Sequence, residues 1–300
     1  MNILITGGLG HIGSYFIENS LDNLTTVDNL LTQRYCSLFN WKNKNRFIEK
    51  DFGDISIDDL NKIDCVIHLA ALTDAQNSFG RENIEKEYIK KTHTFIKLCK
   101  KCNIQYFIFP SSTSVYGVST NVVTEDPKYL NPQSPYAETK LAIEKIIQDE
   151  LTTSNTKYLI LRCGTIFGTS IGMRFHTAIN KFCFQAVFNQ PLTIWKDNYN
   201  QVRPYLGIDD LYNTIFSLFN SDKWNEIYNI VSENKTTKEI VDIIKQYKDV
   251  NINFIDTPLL NQYTYNVSNE KIISIYKPQQ RVQQGIKETL KLLGKNRWDL

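Results

Sequence analysis

Short apolar runs alternate with longer amphipathic stretches through the first half of the chain. The runs at Asn2–Thr6, Leu24–Asp28, Arg46–Glu49, Asp64–Ala70, Ile104–Phe109 and Tyr158–Arg162 are too short for helices and read as buried strands. Between the fourth and fifth, Ile84, Tyr88, Phe95, Cys99 and Cys102 recur at helical spacing and predict a helix over Arg81–Lys101. Tyr136, Lys140, Ile143 and Ile147 share a stripe and predict another over Ser134–Leu151. Strands alternating with helices imply an α/β fold, a doubly wound parallel sheet covered on both faces. Beyond Gly168 the alternation loosens and aromatics accumulate (Phe175, Phe182, Phe184, Phe188, Trp195, Tyr199, Tyr205). This divides the chain into a main domain over 1–168 and a smaller lobe over 169–300, with segments near 202–231 expected to return to the main sheet.

Composition narrows the class. With 42% hydrophobic and 22% charged residues among 300, the chain can bury a sizeable core. Its 34 basic and 32 acidic residues leave a net charge of +2 and no electrostatic footprint for nucleic acid or an anionic membrane. No apolar run is long enough to span a bilayer, and no leader pattern precedes the first strand, so a cytoplasmic protein is expected. The six cysteines lie scattered in apolar surroundings, as reduced core thiols do. Cys99 and Cys102 form a C-x-x-C without a second pair, so no metal site is expected.

Candidate chemistry begins at "TGGLGHIGS", where Gly7, Gly10 and Gly13 follow the first strand. Backbone free of Cβ atoms lets a pyrophosphate approach the N-terminus of a helix starting near His11, whose dipole favours an anion. Asp28 ends the second strand, where a carboxylate accepts the ribose hydroxyls of NAD and repels the 2′-phosphate of NADP; a helix N-cap is the other use of aspartate there. In "DFGDI", Asp54 is placed to accept from an adenine amino group and Ile55 to pack on its ring, or Asp54 caps the following helix.

Tyr136 and Lys140, in "SPYAETK", are four residues apart and adjacent on one helix face. An ammonium beside a phenol favours the phenolate, which makes Tyr136 a usable general acid or base. "PSSTSVYG" puts small hydroxyls, Ser112 among them, at a strand's C-terminal end, where such sheets bind ligands.

T-G-x-x-G-x-x-G (Thr6 to Gly13), Asp28, "GDI", "HLAA" (His68 to Ala71), "SSTSVYG" and Y-x-x-x-K together resemble the extended short-chain dehydrogenase/reductase family. Within it the chain is similar to the nucleotide-sugar epimerases and dehydratases. The resemblance implies a Rossmann-type sheet, NAD as cofactor, a nucleotide-diphosphate sugar as substrate and a homodimer built on the two long helices. It implies that Ser112, Tyr136 and Lys140 form the catalytic set, with Tyr136 taking the proton from a sugar hydroxyl, usually at C4. Leu9 to Ile12 (with Gly10 and His11) would wrap the pyrophosphate, Leu69, Ala70 and Ala71 line the cofactor, and Asn29 lie beside Asp28. Thr73, Thr113, Thr165, Arg174, Asn180, Trp195 and Arg203 are the candidate substrate contacts, Arg203 as the arginine on the diphosphate.

Departures from the family pattern refine this. Its dehydratases place an Asp-Glu pair after the catalytic hydroxyl, where this chain has Thr113 and Ser114, so the acid and base for elimination are missing. Thr165 and Tyr88 replace two asparagines, and no basic residue lies between Lys248 and Lys271 to supply a second diphosphate arginine. Arg174, His176, Asn180 and Lys181 are available as substitutes. The expected activity is a nucleotide-sugar epimerase acting at C4 through a 4-keto intermediate. A 4-dehydrogenase or 4-ketoreductase uses the same residues, and a non-catalytic NAD sensor or scaffold is the alternative of another class.

Overall fold

The computed structural model describes residues 1–39, 41, 45–71, 78–80, 82–256 and 265–294. In chain order its first elements are β1 (Asn2–Thr6), α1 (His11–Asn19), β2 (Asn23–Asp28), β3 (Arg46–Glu49), β4 (Cys65–His68), α2 (Glu82–Lys101), β5 (Tyr106–Ser112), β6 (Val122–Val123), α3 (Pro135–Leu151) and β7 (Lys157–Cys163). There follow β8 (Thr165–Phe167), α4 (Ala178–Val187), β9 (Leu192–Trp195), β10 (Val202–Gly207), α5 (Ile208–Phe219), β11 (Glu226–Ile230) and β12 (Glu233–Thr236). The last are α6 (Thr237–Lys245), β13 (Ile252–Ile255), β14 (Asn266–Val267), α7 (Glu270–Ile273) and α8 (Val282–Gly294).

Seven strands make one parallel sheet in the order β11-β7-β5-β4-β1-β2-β3. The chain winds outward in both directions from β1, so the order reverses between β1 and β4 and a crevice opens at their C-terminal ends. The central strands read as continuous apolar runs because both faces are covered. Ile3, Ile5, Ile67 and Leu159 face a layer containing Phe16 and Leu211, and Leu4, Val66, Phe107 and Ile160 face Phe95, Ile96, Ile143 and Ile147. Each such side chain contributes about 1.5–3 kcal/mol of burial.

A separate core of Ile179, Phe182, Leu192, Ile240 and Ile286 joins α4, α6 and α8. One expectation fails here. Glu226–Ile230 returns to the main sheet as β11, but Val202–Gly207 pairs with β8 and β12 in a three-stranded sheet of its own. Gly164, between β7 and β8, lets the chain leave one sheet for the other, since a Cβ there would lie 3.1 Å from the backbone of Pro204 and Tyr205.

Candidate active site

The ends of β1, β2, β4, β5 and β7 open into a cleft of about 760 Å³, into which β10 and the approach to α4 also project. Its floor is the glycine loop. Gly7 adopts φ +64°, a left-handed conformation, and a Cβ on it would lie 2.7 Å from the backbone of Ala70. A Cβ on Gly13 would lie 2.3 Å from the carbonyl of Gly8, so α1 can begin this close to β1 only with glycine there. Gly7, Gly10, His11, Ile12 and Gly13 line the cleft, and the uncapped start of α1 faces it. This bare-backbone cradle fits the diphosphate of a dinucleotide.

Asp28 and Asn29 line the cleft at the end of β2, with Leu69, Ala70 and Ala71 beyond β4. The Asp28 carboxylate accepts from the backbone N–H of Leu9 at 3.1 Å and of Leu30 at 2.9 Å. Of Leu9 to Ile12, Gly10, His11 and Ile12 line the cleft, while the Leu9 N–H is engaged by Asp28 and its side chain is in the core. Asp54 and Ile55 do not line the cleft. The Asp51 side chain accepts from Gly53 N and starts a 3-10 turn at Phe52–Asp54, which leaves Asp54 exposed and packs Ile55 in the core. Asp51 and Phe52 line the cleft instead, Asp51 held by Asn29 Nδ2 at 3.0 Å.

Ser134 caps α3 by accepting from Ala137 N, and Pro135 opens the first turn, which sets Tyr136 and Lys140 beside the end of β5. Ser112, Tyr136 and Lys140 converge: the Ser112 hydroxyl hydrogen-bonds the Tyr136 phenol, and Lys140 Nζ lies 5.8 Å from the Tyr136 ring centre while donating to Pro110 O at 3.1 Å. Burial pushes the phenol up to about 12 and the ammonium down to about 8. The expected depression of the Tyr136 pKa is thus absent, because desolvation outweighs the hydrogen bond from Ser112. Cys163, Glu85 and Tyr265 push the phenol further in the same direction.

On the other side of the cleft stand Thr113, Thr165, Arg174 and Arg203, joined by His176 and Thr177. Tyr265 donates to Thr113 Oγ1 at 3.4 Å. Ser114 Oγ and Thr177 Oγ1 are buried without a hydrogen-bond partner. Asn180 and Trp195 do not line the cleft. Asn180 is fully buried and donates to Arg174 O at 3.0 Å, and Trp195 ends β9 opposite Ile255. Thr73 lies outside the described residues. Arg34, Glu85, Tyr88 and Ser114 line the cleft without having been singled out as contacts; a helical stripe one turn long announces Glu85 and Tyr88, and nothing local announces Arg34. Among the described residues there is no group of three metal-ligating side chains, and no helix is long and apolar enough to cross a membrane.

Comparison with known proteins agrees with this architecture. The chain is 26% identical to the dTDP-D-glucose 4,6-dehydratase of Bos taurus over a 319-position alignment covering 98% of this chain and 89% of the relative. It is 31% identical over 224 positions, 70% of each chain, to an uncharacterized UDP-glucose epimerase of Bacillus subtilis (strain 168). The crystal structure of a UDP-glucuronic acid 4-epimerase from Bacillus cereus, in complex with UDP-glucuronic acid and NAD, superposes with a TM-score of 0.88 at 26% identity, covering 98% of this chain and 99% of that one. Residues 3–231 match the NAD dependent epimerase/dehydratase family, and the chain belongs to this family of NAD-dependent enzymes.

Proposed function

We propose that this enzyme is a nucleotide-sugar 4-epimerase and that its substrate is a UDP-linked uronic acid. The observation that carries the reading is the end of β5, where Ser112, Thr113 and Ser114 offer only hydroxyls to the cleft. Elimination of water across C5 and C6 requires an acid and a base, and none follows Ser112. Inversion at C4 requires one group that takes and returns a proton, and Tyr136 is that group. The buried, unpartnered Ser114 Oγ, with Thr113, Thr165 and Arg174, suits an acceptor such as a sugar carboxylate. The Bacillus cereus 4-epimerase, crystallised with UDP-glucuronic acid, supports the same choice.

Bound NAD supplies the hydride acceptor and later the donor. The Gly7–Gly13 loop and Asp28 would hold it, and Ser112 would orient the C4 oxygen. In its phenolate form Tyr136 takes the hydroxyl proton, and the phenol so formed gives it back once the keto sugar has presented its other face. Lys140 provides positive charge near the phenol and would donate to the ribose of the bound cofactor. Arg203 and Arg174 hold the diphosphate and sugar end. A homodimer on α2 and α3 belongs to this proposal, and light scattering at micromolar concentration tests it.

The deciding experiment incubates the purified enzyme and NAD with UDP-glucuronic acid, UDP-glucose and UDP-N-acetylglucosamine, with proton NMR following the configuration at C4. The C4-inverted uronic acid is expected. A 4-keto-6-deoxy product from UDP-glucose would make the enzyme a dehydratase, and accumulating reduced cofactor would make it a net oxidoreductase.

A further inference from the structure

Three contacts tie the end of β5 to one face of α3. Tyr136, Lys140 and Glu144 follow one another at i, i+4 spacing and meet three consecutive residues of the strand. The Ser112 hydroxyl bonds the Tyr136 phenol, Lys140 Nζ donates to Pro110 O at 3.1 Å, and Ser111 Oγ donates to Glu144 Oε1 at 2.5 Å. Glu144 itself does not line the cleft.

A second layer fixes Glu144. Arg162 stands opposite Ser111 in the β5–β7 pairing and forks onto the carboxylate, with Nε 3.2 Å from both oxygens and Nη2 2.8 Å from Oε2. Its Nη1 donates to the Tyr116 hydroxyl at 2.9 Å, which donates in turn to Asn229 Oδ1 at 2.6 Å. Asn229 is opposite Arg162 in the β7–β11 pairing, so the network crosses three strands and a helix. Both charged side chains are 2% exposed. Burying two charges loses so much hydration that an apolar pair of the same volume is often equally stabilising, so stability alone does not account for them.

We infer that Glu144 and Arg162 are positioning residues, which hold Ser112, Tyr136 and Lys140 in one arrangement without touching the reactants. The inference rests on the reading of those three as the reacting set. Glu144 also acts by charge. Burial lowers the Lys140 pKa, while Cys163 on β7, Glu144 on its own helix and Glu85 on α2 hold it up; the Phe109 and Tyr136 rings and the neutral His68 on β4 complete its surroundings.

The test uses the NAD-loaded enzyme with UDP-glucuronic acid and compares Ser111→Ala, Glu144→Gln and the double variant Glu144→Leu/Arg162→Met. Single-turnover hydride transfer, KM, melting temperature and the Lys140 titration, read by competitive acetic anhydride labelling and mass spectrometry, are measured on each. Glu144→Gln should slow hydride transfer by at least about tenfold with KM within about twofold. It should also move the Lys140 titration and the alkaline limb of the rate to lower pH. Ser111→Ala should slow transfer less, with unchanged melting. The double variant should regain thermal stability but not rate. Wild-type rates in Ser111→Ala and in the folded double variant would overturn the inference. Should the wild type itself transfer no hydride, the proposed function fails on its own, and an unmoved Lys140 titration in Glu144→Gln would then overturn this inference as well.

Discussion

The two halves of the cleft are made of different material. Where the cofactor is proposed to bind, the surface is built on the glycine loop, the start of α1 and the ends of β2 and β4, placed by strand pairing in a buried sheet. Where the sugar is proposed to bind, the surface is side chains from separate elements: Thr113 after β5, Thr165 on β8, Arg174 before α4, Arg203 on β10 and Tyr265 before β14. A backbone site tolerates little change, because altering it moves the sheet. A side-chain site can be rewritten residue by residue on an unmoved scaffold, which is how one family holds both dehydratases and epimerases.

The largest effect should come from a change that leaves both halves intact and removes the chemistry between them. Tyr136→Phe keeps the ring and deletes the proton carrier, so kcat should fall by about 10²- to 10⁴-fold. Calorimetric affinities for NAD and for UDP should stay within about twofold of wild type. In the wild type, Lys140 carries its charge below about pH 8 and loses it as the pH rises. The alkaline limb of kcat/KM should therefore fall near that value, and Lys140→Met should abolish it. Retained turnover in Tyr136→Phe would assign the proton transfer to another group.

Next come two changes that separate the halves. Gly7→Ala places a Cβ 2.7 Å from Ala70 backbone at a left-handed φ of +64°, where a side chain costs about 1–2 kcal/mol before the clash is counted. NAD affinity should drop by at least about tenfold while UDP affinity persists. Arg203→Ala should do the reverse, weakening UDP by about tenfold and leaving NAD alone, as loss of a charge-assisted hydrogen bond predicts. Equal loss of both ligands in either variant would mean that the halves are coupled more tightly than their construction suggests.

The same contrast explains what was legible in the sequence. Glycine spacing, strand ends and Y-x-x-x-K report backbone geometry and i, i+4 adjacency, and those positions do meet in the cleft. Within the backbone half the failures are matters of register. "GDI" spells a familiar motif at Gly53–Ile55, but Lys50 N bonds Asp28 O and Asp51 starts the turn, so the residues reaching the cleft come three positions earlier. Leu9 is absent from the cleft lining, its N–H held by a carboxylate from the next strand. In the side-chain half, Asn180 and Trp195 looked suitable by residue type, yet burial inside α4 and pairing along β9 decide where they point. The pKa of Tyr136 was unreadable for another reason: a neighbouring lysine is visible in the sequence, and the depth of burial that outweighs it is not.

The smallest expected effect concerns discrimination between NAD and NADP, where the two kinds of construction meet at one residue. Asp28 offers its carboxylate to the cleft, and it also anchors the glycine loop by accepting from Leu9 N and Leu30 N. Arg34 lies close enough to feel that charge, lines the same cleft and donates to Gly172 O at 3.1 Å, so it is the cation to test as a partner for a 2′-phosphate. Asp28→Ala would remove the acceptor for the ribose hydroxyls and the anchor of the loop together, and NAD affinity would fall for both reasons. Asp28→Asn removes the charge and one of the two acceptors, and keeps an acceptor for the other amide. Two unit charges about 4 Å apart in a water-like medium interact by about 1 kcal/mol, so the preference for NAD over NADP should narrow by about fivefold in Asp28→Asn. Adding Arg34→Ala should restore much of that preference by removing the partner of the phosphate. Calorimetry with both cofactors checks each step, and an unchanged ratio in Asp28→Asn would reduce Asp28 to an anchor of the loop, with discrimination made elsewhere.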